Sequence, residues 1–163
     1  MCPLIINALL REVIQLRIST YAEIEQRTSS FVYGFYDLTN RPSPVKKQQL
    51  QYSNIAGSAS QKLCFFKLFP IIFNDIVDRL PSFIVYKVLR EILDLILSYP
   101  FRRKWLHVLG ELFDTFHETM LSHFPDKITP KAHVIREYKY MINDFGPAVR
   151  QWCFRYEANH LYF

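Results

Sequence analysis

The chain is predicted to be all-α, an irregular array of six to eight helices with one long connector. Three observations predict this. Apolar residues recur at three- and four-residue spacing through most of its length, Ser, Thr, Pro and Gly stand where helices start and stop, and no alternating run of strand length occurs. Half of the 163 residues are apolar, 16% are aromatic and 4 are Gly, which is the composition of a packed domain and not of a disordered chain. That length suits a single domain with a sizeable core, and one domain over 1–163 is expected.

Leu4, Ile5, Ala8, Leu9, Val13 and Leu16 repeat at helical spacing, and Pro3 suits a first turn, where its missing N–H costs nothing. Ser19-Thr20 with Glu23 forms the pattern of a capping box that opens a second helix to about Val32, closed by Gly34. From Phe35 to Gly57 no period survives, and Pro42, Pro44, Lys46-Lys47 and a run of Gln mark the long connector. Ser58 or Ser60 then opens a segment to Val77 that is apolar nearly all round, which Pro70 should kink or split. Pro81 starts the clearest amphipathic helix, with Val85, Val88, Leu89, Ile92, Leu93 and Ile96 inward and Lys87, Arg90, Glu91 and Asp94 toward water, ended by Pro100. Another runs from about Phe101 to His123 and should bury Leu106, Leu109, Leu112, Phe113, Phe116 and Met120. A helix over Pro130–Phe145 should bury Val134, Tyr138, Met141 and Phe145, before Gly146-Pro147 stops it and starts a last helix to the end of the chain.

The net charge of +5 is mild and decides nothing about partners by itself. Three cysteines, Cys2, Cys64 and Cys153, are widely spaced and odd in number, which argues against a disulfide framework and suits a reducing compartment, the nucleus or cytoplasm. Arg11 and Glu12 break the first apolar run, and Lys67, Asn74, Arg90 and Asp94 break the others, so neither a signal peptide nor a membrane span is expected and no membrane partner either.

The stretch from Pro130 carries Pro130-Lys131-Ala132-His133, then Phe145-Gly146-Pro147, then Trp152, Arg155-Tyr156-Glu157 and His160. This order resembles the C-terminal part of a group of animal transposon-derived proteins related to CACTA/En-Spm-type transposases. Weaker landmarks of the same group fall at Tyr33-Gly34 with Asp37 and Asn40, at Ser58-Ala59-Ser60, at Leu68-Phe69-Pro70, over Leu89 to Leu97 and at Phe124-Pro125. In transposases of this DDE kind three carboxylates hold two metal ions that activate a hydroxyl and stabilise the leaving oxygen. The resemblance implies that this chain is the helical insertion before the third carboxylate, with Glu157 in that third position, as a vestigial catalytic residue, and the first two upstream of Met1. The closing motif ends without a cap or stop signal, so the expectation is a piece of a larger protein. On these terms the chain is not an enzyme by itself and needs no cofactor, the divalent metal belonging to an intact parent transposase.

Its residual capacity is then binding, of DNA or of the missing catalytic core. The candidate phosphate contacts are Arg102, Arg103 and Lys104, with Lys131, Arg136, Lys139, Arg150 and Arg155 near the closing motif and Lys46-Lys47 on the connector. The alternatives are a helical module that meets another protein through its aromatic surface, and a relic without function. His117, His123, His133, Cys153 and His160 lack tight ligand spacing, so no metal site is expected. Cys64 and Cys153 sit among apolar residues, as small core side chains and not as activated nucleophiles.

Overall fold

The computed structural model describes residues 1–52, 55–98, 100–128 and 130–147, with the backbone alone for 131–133. Among the described residues there are seven α-helices and three short 3-10 helices and no strand, so the protein is all-helical. The chain divides into two compact units, Met1–Lys87 and a second from Val88 onward.

In the first unit, α1 (Cys2–Gln15) begins with Pro3 in its first turn and buries Ile5, Ile6, Leu9, Leu10 and Val13. It ends at a corner without glycine. Arg17 adopts φ 55°, and the N–H groups of Arg17 and Ile18 reach back to the carbonyls of Ile14 and Val13, closing the last turn from a left-handed residue. The expected capping box opens α2 (Tyr21–Ser30): Thr20 Oγ1 accepts from the Glu23 N–H, and the Glu23 carboxylate accepts from the Thr20 N–H. Helix α2 stops at Ser30, with extended Phe31 beyond it, and Gly34 at φ −64° plays no part in the stop. Arg41 does instead, donating from Nη2 to the Ser29 carbonyl while lying over the Tyr33 ring.

The expected connector contains structure: a 3-10 helix over Phe35–Asn40 and α3 (Lys47–Gln51). Val45, Leu50 and Ile55 are buried, and that burial orders a segment whose sequence shows no period. Two buried polar side chains fix its path. Thr28 accepts from the Val45 N–H at 3.0 Å, and Asn7 of α1 donates to the Gln49 carbonyl at 3.3 Å.

Helix α4 (Ala59–Ile72) opens with a second capping box, Ser58 with Gln61, and is not split at Pro70, which lies inside it. A proline there has no N–H for the carbonyl four residues earlier, that of Phe66. The Tyr86 hydroxyl donates to that carbonyl at 2.7 Å in a buried site. Tyr86 also stacks on Phe83, with centroids 5.0 Å apart and planes 8° from parallel, and meets Phe66 and Phe69 at 4.5 and 5.7 Å. Phe65, Phe66, Phe69 and Phe73 are all fully buried, so α4 supplies the aromatic centre of this unit, and α1 packs on it.

The division between the units falls inside α5 (Phe83–Ile96), between Lys87 and Val88. Its expected inward residues Val85, Val88, Leu89, Ile92 and Ile96 are buried, Leu93 is half-buried, and Phe83 and Tyr86 join the buried set. In the second unit, α6 runs over Trp105–His123 and α7 over Pro130–Phe145, and the two pack on each other. Leu109, Phe113, Phe116 and Met120 of α6 are buried as expected, with Leu106 and Leu112 half-buried. On α7 the expected stripe is wrong. Val134, Met141 and Phe145 are exposed, and Ile142 is the buried residue, flanked by half-buried Ile135 and Tyr138. Gly146 at φ 84° closes α7 as expected, its N–H bonded to the Ile142 carbonyl. The expected last helix from Pro147 lies outside the described residues.

Replacing Tyr86 with Phe should cost about 1–3 kcal/mol by leaving a buried carbonyl unsatisfied. Restoring the helical donor with Pro70→Ala should shrink that cost, and a double-mutant cycle read by denaturant unfolding checks the coupling. Equal losses in both backgrounds would show that Tyr86 acts through its ring alone.

A pH effect follows from two carboxylates. The Arg27 guanidinium grips Asp75 with both nitrogens at 2.6 and 2.7 Å and holds its carboxyl below the usual range. Hydrogen bonds from the Thr20 N–H and the Ser19 hydroxyl do the same for Glu23. A folded-state value below the unfolded one gives stability that is complete above the unfolded value and lost as pH falls through the folded one. Both groups are exposed, so solvent screening keeps each contribution small. Asp75→Asn should therefore lose less stability than the wild type on going from neutral pH to below about 4, measured by denaturant midpoints at the two pH values.

Candidate nucleic-acid interface

The densest positive charge on the chain precedes α6. Arg102, Arg103 and Lys104 are consecutive and exposed. They lie just before the helix and not in its first turn, because the N–H groups of Trp105 and Leu106 bond back to the carbonyls of Arg102 and Arg103 and wind the chain into a tight entry turn. Lys104 occupies the N-cap position without a side-chain cap, and the first turn of α6 holds no acidic residue. Three exposed cations beside the partly positive helix end favour an anion there, through their side chains, because the N–H groups of Trp105 and Leu106 are already bonded. The Arg102 guanidinium lies 5.7 Å from the centre of the Trp105 ring, whose edge meets Phe101 at 5.9 Å. That contact braces one cation on a rigid plane and lowers the entropy lost when it grips a phosphate.

The cations of α7 are engaged differently. Arg136 donates to the Asp114 carboxylate of α6, so part of its charge is already balanced. Lys139 is half-buried, and its chain crosses α6 at Gly110, where an added Cβ would stand 3.0 Å from Nζ. Phe113, Asp114, Arg136, Lys139 and Tyr140 line an open cleft of about 400 Å³ between these two helices, with charges of both signs. Lys131 opens α7, and only its backbone is described. Arg150, Arg155 and Glu157 lie outside the described residues. Lys46 and Lys47 are exposed at the start of α3, and Lys47 lies 5.4 Å from the centre of the Tyr21 ring.

Among the described residues no group of three or more His, Cys, Asp or Glu is placed to hold a metal ion. His117 and His123 point about 120° apart around α6, since six residues at about 100° each do not return to one face. His133 is described by backbone alone, and Cys153 and His160 lie outside the described residues. Cys64 is buried and donates to Asp37 Oδ1 at 3.9 Å, and burial pushes its thiol up, away from the thiolate that nucleophilic chemistry needs. No helix among the described residues is long and apolar enough to cross a membrane.

The bracing of Arg102 by Trp105 was missed in the sequence, although their spacing of three residues at a helix entry could have shown it. The pairing of Arg136 with Asp114 had no sequence signal, because the partners are 22 residues apart on different helices. No protein-family model matches the chain, and neither a curated protein nor a solved structure matches it.

Gly110→Ala should raise stability by about 0.5–1 kcal/mol. The added methyl meets the flexible end of Lys139, which can move aside, while alanine favours the helix. Thermal or denaturant unfolding checks the sign, and a drop in stability would mean that Lys139 is held rigidly across α6.

Proposed function

We propose that this chain is a helical module of a transposon-derived protein that binds DNA through its phosphates without catalysing strand transfer by itself. The observation that carries the reading is the exposed triplet Arg102-Arg103-Lys104 at an uncapped helix entry, with Arg102 braced on Trp105. Such a site supplies charge and preorganisation without base recognition, so it supports binding that is insensitive to sequence and sensitive to salt. The transposase-like part of the proposal rests on the order of residues from Pro130 to His160. On this reading Glu157 is a vestigial third carboxylate, and Lys131, Arg150 and Arg155 supply further phosphate contacts. The site of action is then the nucleus.

A second reading, a module that docks on the catalytic core of such a protein or on another protein, is favoured by a specific observation. Phe35 and Tyr36 are 82% and 91% exposed, and Val134, Met141 and Phe145 of α7 are also open to solvent.

Titration of labelled duplex DNA against the full chain separates the two. Tight binding should weaken as salt rises, and the variant with Ala at 102, 103 and 104 should lose roughly 2 to 3 from the slope of log K against log salt, about 0.9 for each phosphate that is no longer neutralised. An unchanged slope in a folded variant would move the DNA-binding surface elsewhere. Absence of binding by the folded wild type would leave the protein-docking reading.

A further inference from the structure

The segment Arg41-Pro42-Ser43-Pro44-Val45-Lys46-Lys47 holds a serine followed by proline, with lysines three and four residues beyond it. Two Ser/Thr-Pro pairs occur in the chain, Ser43-Pro44 and Thr129-Pro130, and a basic residue at the third position after the hydroxyl residue is present only in the first. Each part of this pattern has a physical meaning to a protein kinase that reads an extended peptide. A proline after the serine brings no backbone N–H, so it can enter an apolar pocket without leaving a donor unsatisfied. The lysine at the third position supplies a cation for an acidic surface beyond the reaction centre.

The structure displays this pattern in a usable form. Positions 41–46 belong to no helix, and the backbone is extended at Lys46, with φ −88° and ψ 152°. Ser43, Lys46 and Lys47 are exposed, whereas Pro42 and Val45 are buried. The segment is held on either side of the serine, by Gln61 Nε2 donating to the Arg41 carbonyl at 2.9 Å and by the Val45 N–H donating to Thr28 at 3.0 Å. Ser43 lies exposed between these two anchors, and no turn of helix has to unwind for a kinase to engage it.

We propose that Ser43 is a phosphorylation site for a proline-directed serine/threonine kinase that also reads the basic residue at Lys46. In the step, Ser43 Oγ attacks the terminal phosphorus of a nucleoside triphosphate held by the kinase. The new O–P bond forms as the bond to the nucleoside diphosphate breaks, and the hydroxyl proton passes to the kinase's base. The product adds about two negative charges between Arg41 and Lys46-Lys47. The three cations of this segment are thereby reduced to a net charge of about +1. The phosphate also competes for the Arg41 guanidinium, which now donates to the Ser29 carbonyl and covers Tyr33.

The test incubates the folded full chain with a cyclin-dependent-class kinase and labelled ATP and maps the phosphate by mass spectrometry. One phosphate at Ser43 is expected. Ser43→Ala should abolish it, Pro44→Ala should slow incorporation at least tenfold, and Lys46→Ala should slow it several-fold. Label at another residue, label that survives Ser43→Ala, or label gained only after the chain is denatured would each overturn the proposal. So would rates that Pro44→Ala and Lys46→Ala leave unchanged.

Discussion

Pro70 leaves the Phe66 carbonyl without its helical donor, and the hydroxyl of Tyr86 fills the vacancy across the core of the first unit. A buried carbonyl without a partner is costly, so the helix can carry its proline only where another donor is delivered to it. That requirement fixes the start of α5 relative to α4. Once the hydroxyl is in place, the ring of Tyr86 has little freedom, and Phe83, Phe66 and Phe69 close around it. One polar contact thus sets the register of an otherwise non-directional aromatic cluster. Hydrophobic burial alone would stabilise many arrangements of those rings about equally well.

Much of this fold was legible because it is written locally. Both capping boxes join residues three apart, and Gly146 closes α7 at the position its sequence indicates. Errors arose where distant partners decide. Phe35 to Gly57 has no period, yet Val45, Leu50 and Ile55 bury themselves on helices made from other parts of the chain, with Thr28 and Asn7 supplying polar anchors. Pro70 suggested a break because the hydroxyl that offsets it comes from sixteen residues downstream. On α7 two stripes share Tyr138, one through Val134, Met141 and Phe145 and the other through Ile135 and Ile142. Periodicity cannot choose between them, whereas packing against α6 does.

The candidate site divides in the same way. Three adjacent cations before α6 can be recognised in sequence, and their exposure fits that recognition. Whether a cation keeps its charge free is a matter of neighbours: Arg136 meets Asp114 and Lys139 lies across Gly110, and neither contact has a local signature. Arg102 and Trp105 are the intermediate case, close in sequence but joined by ring chemistry that a charge count ignores. Equal formal charges on α7 and at the entry of α6 are therefore unequal in what they offer a phosphate.

At the end of α1 a left-handed corner is occupied by an arginine. The side chain pays a steric penalty there of roughly 1 kcal/mol that glycine would avoid. Glycine, however, would give the unfolded chain more freedom to lose, so the two choices differ by less than the folded geometry suggests. The turn from α1 to α2 is then specified by the carbonyls of Val13 and Ile14 and by the cap at Thr20, with glycine, asparagine and unbranched side chains all admissible at 17 but proline and β-branched residues not. A corner built in this way can drift in sequence without moving the helices it joins, and a search for helix ends by glycine would pass over it.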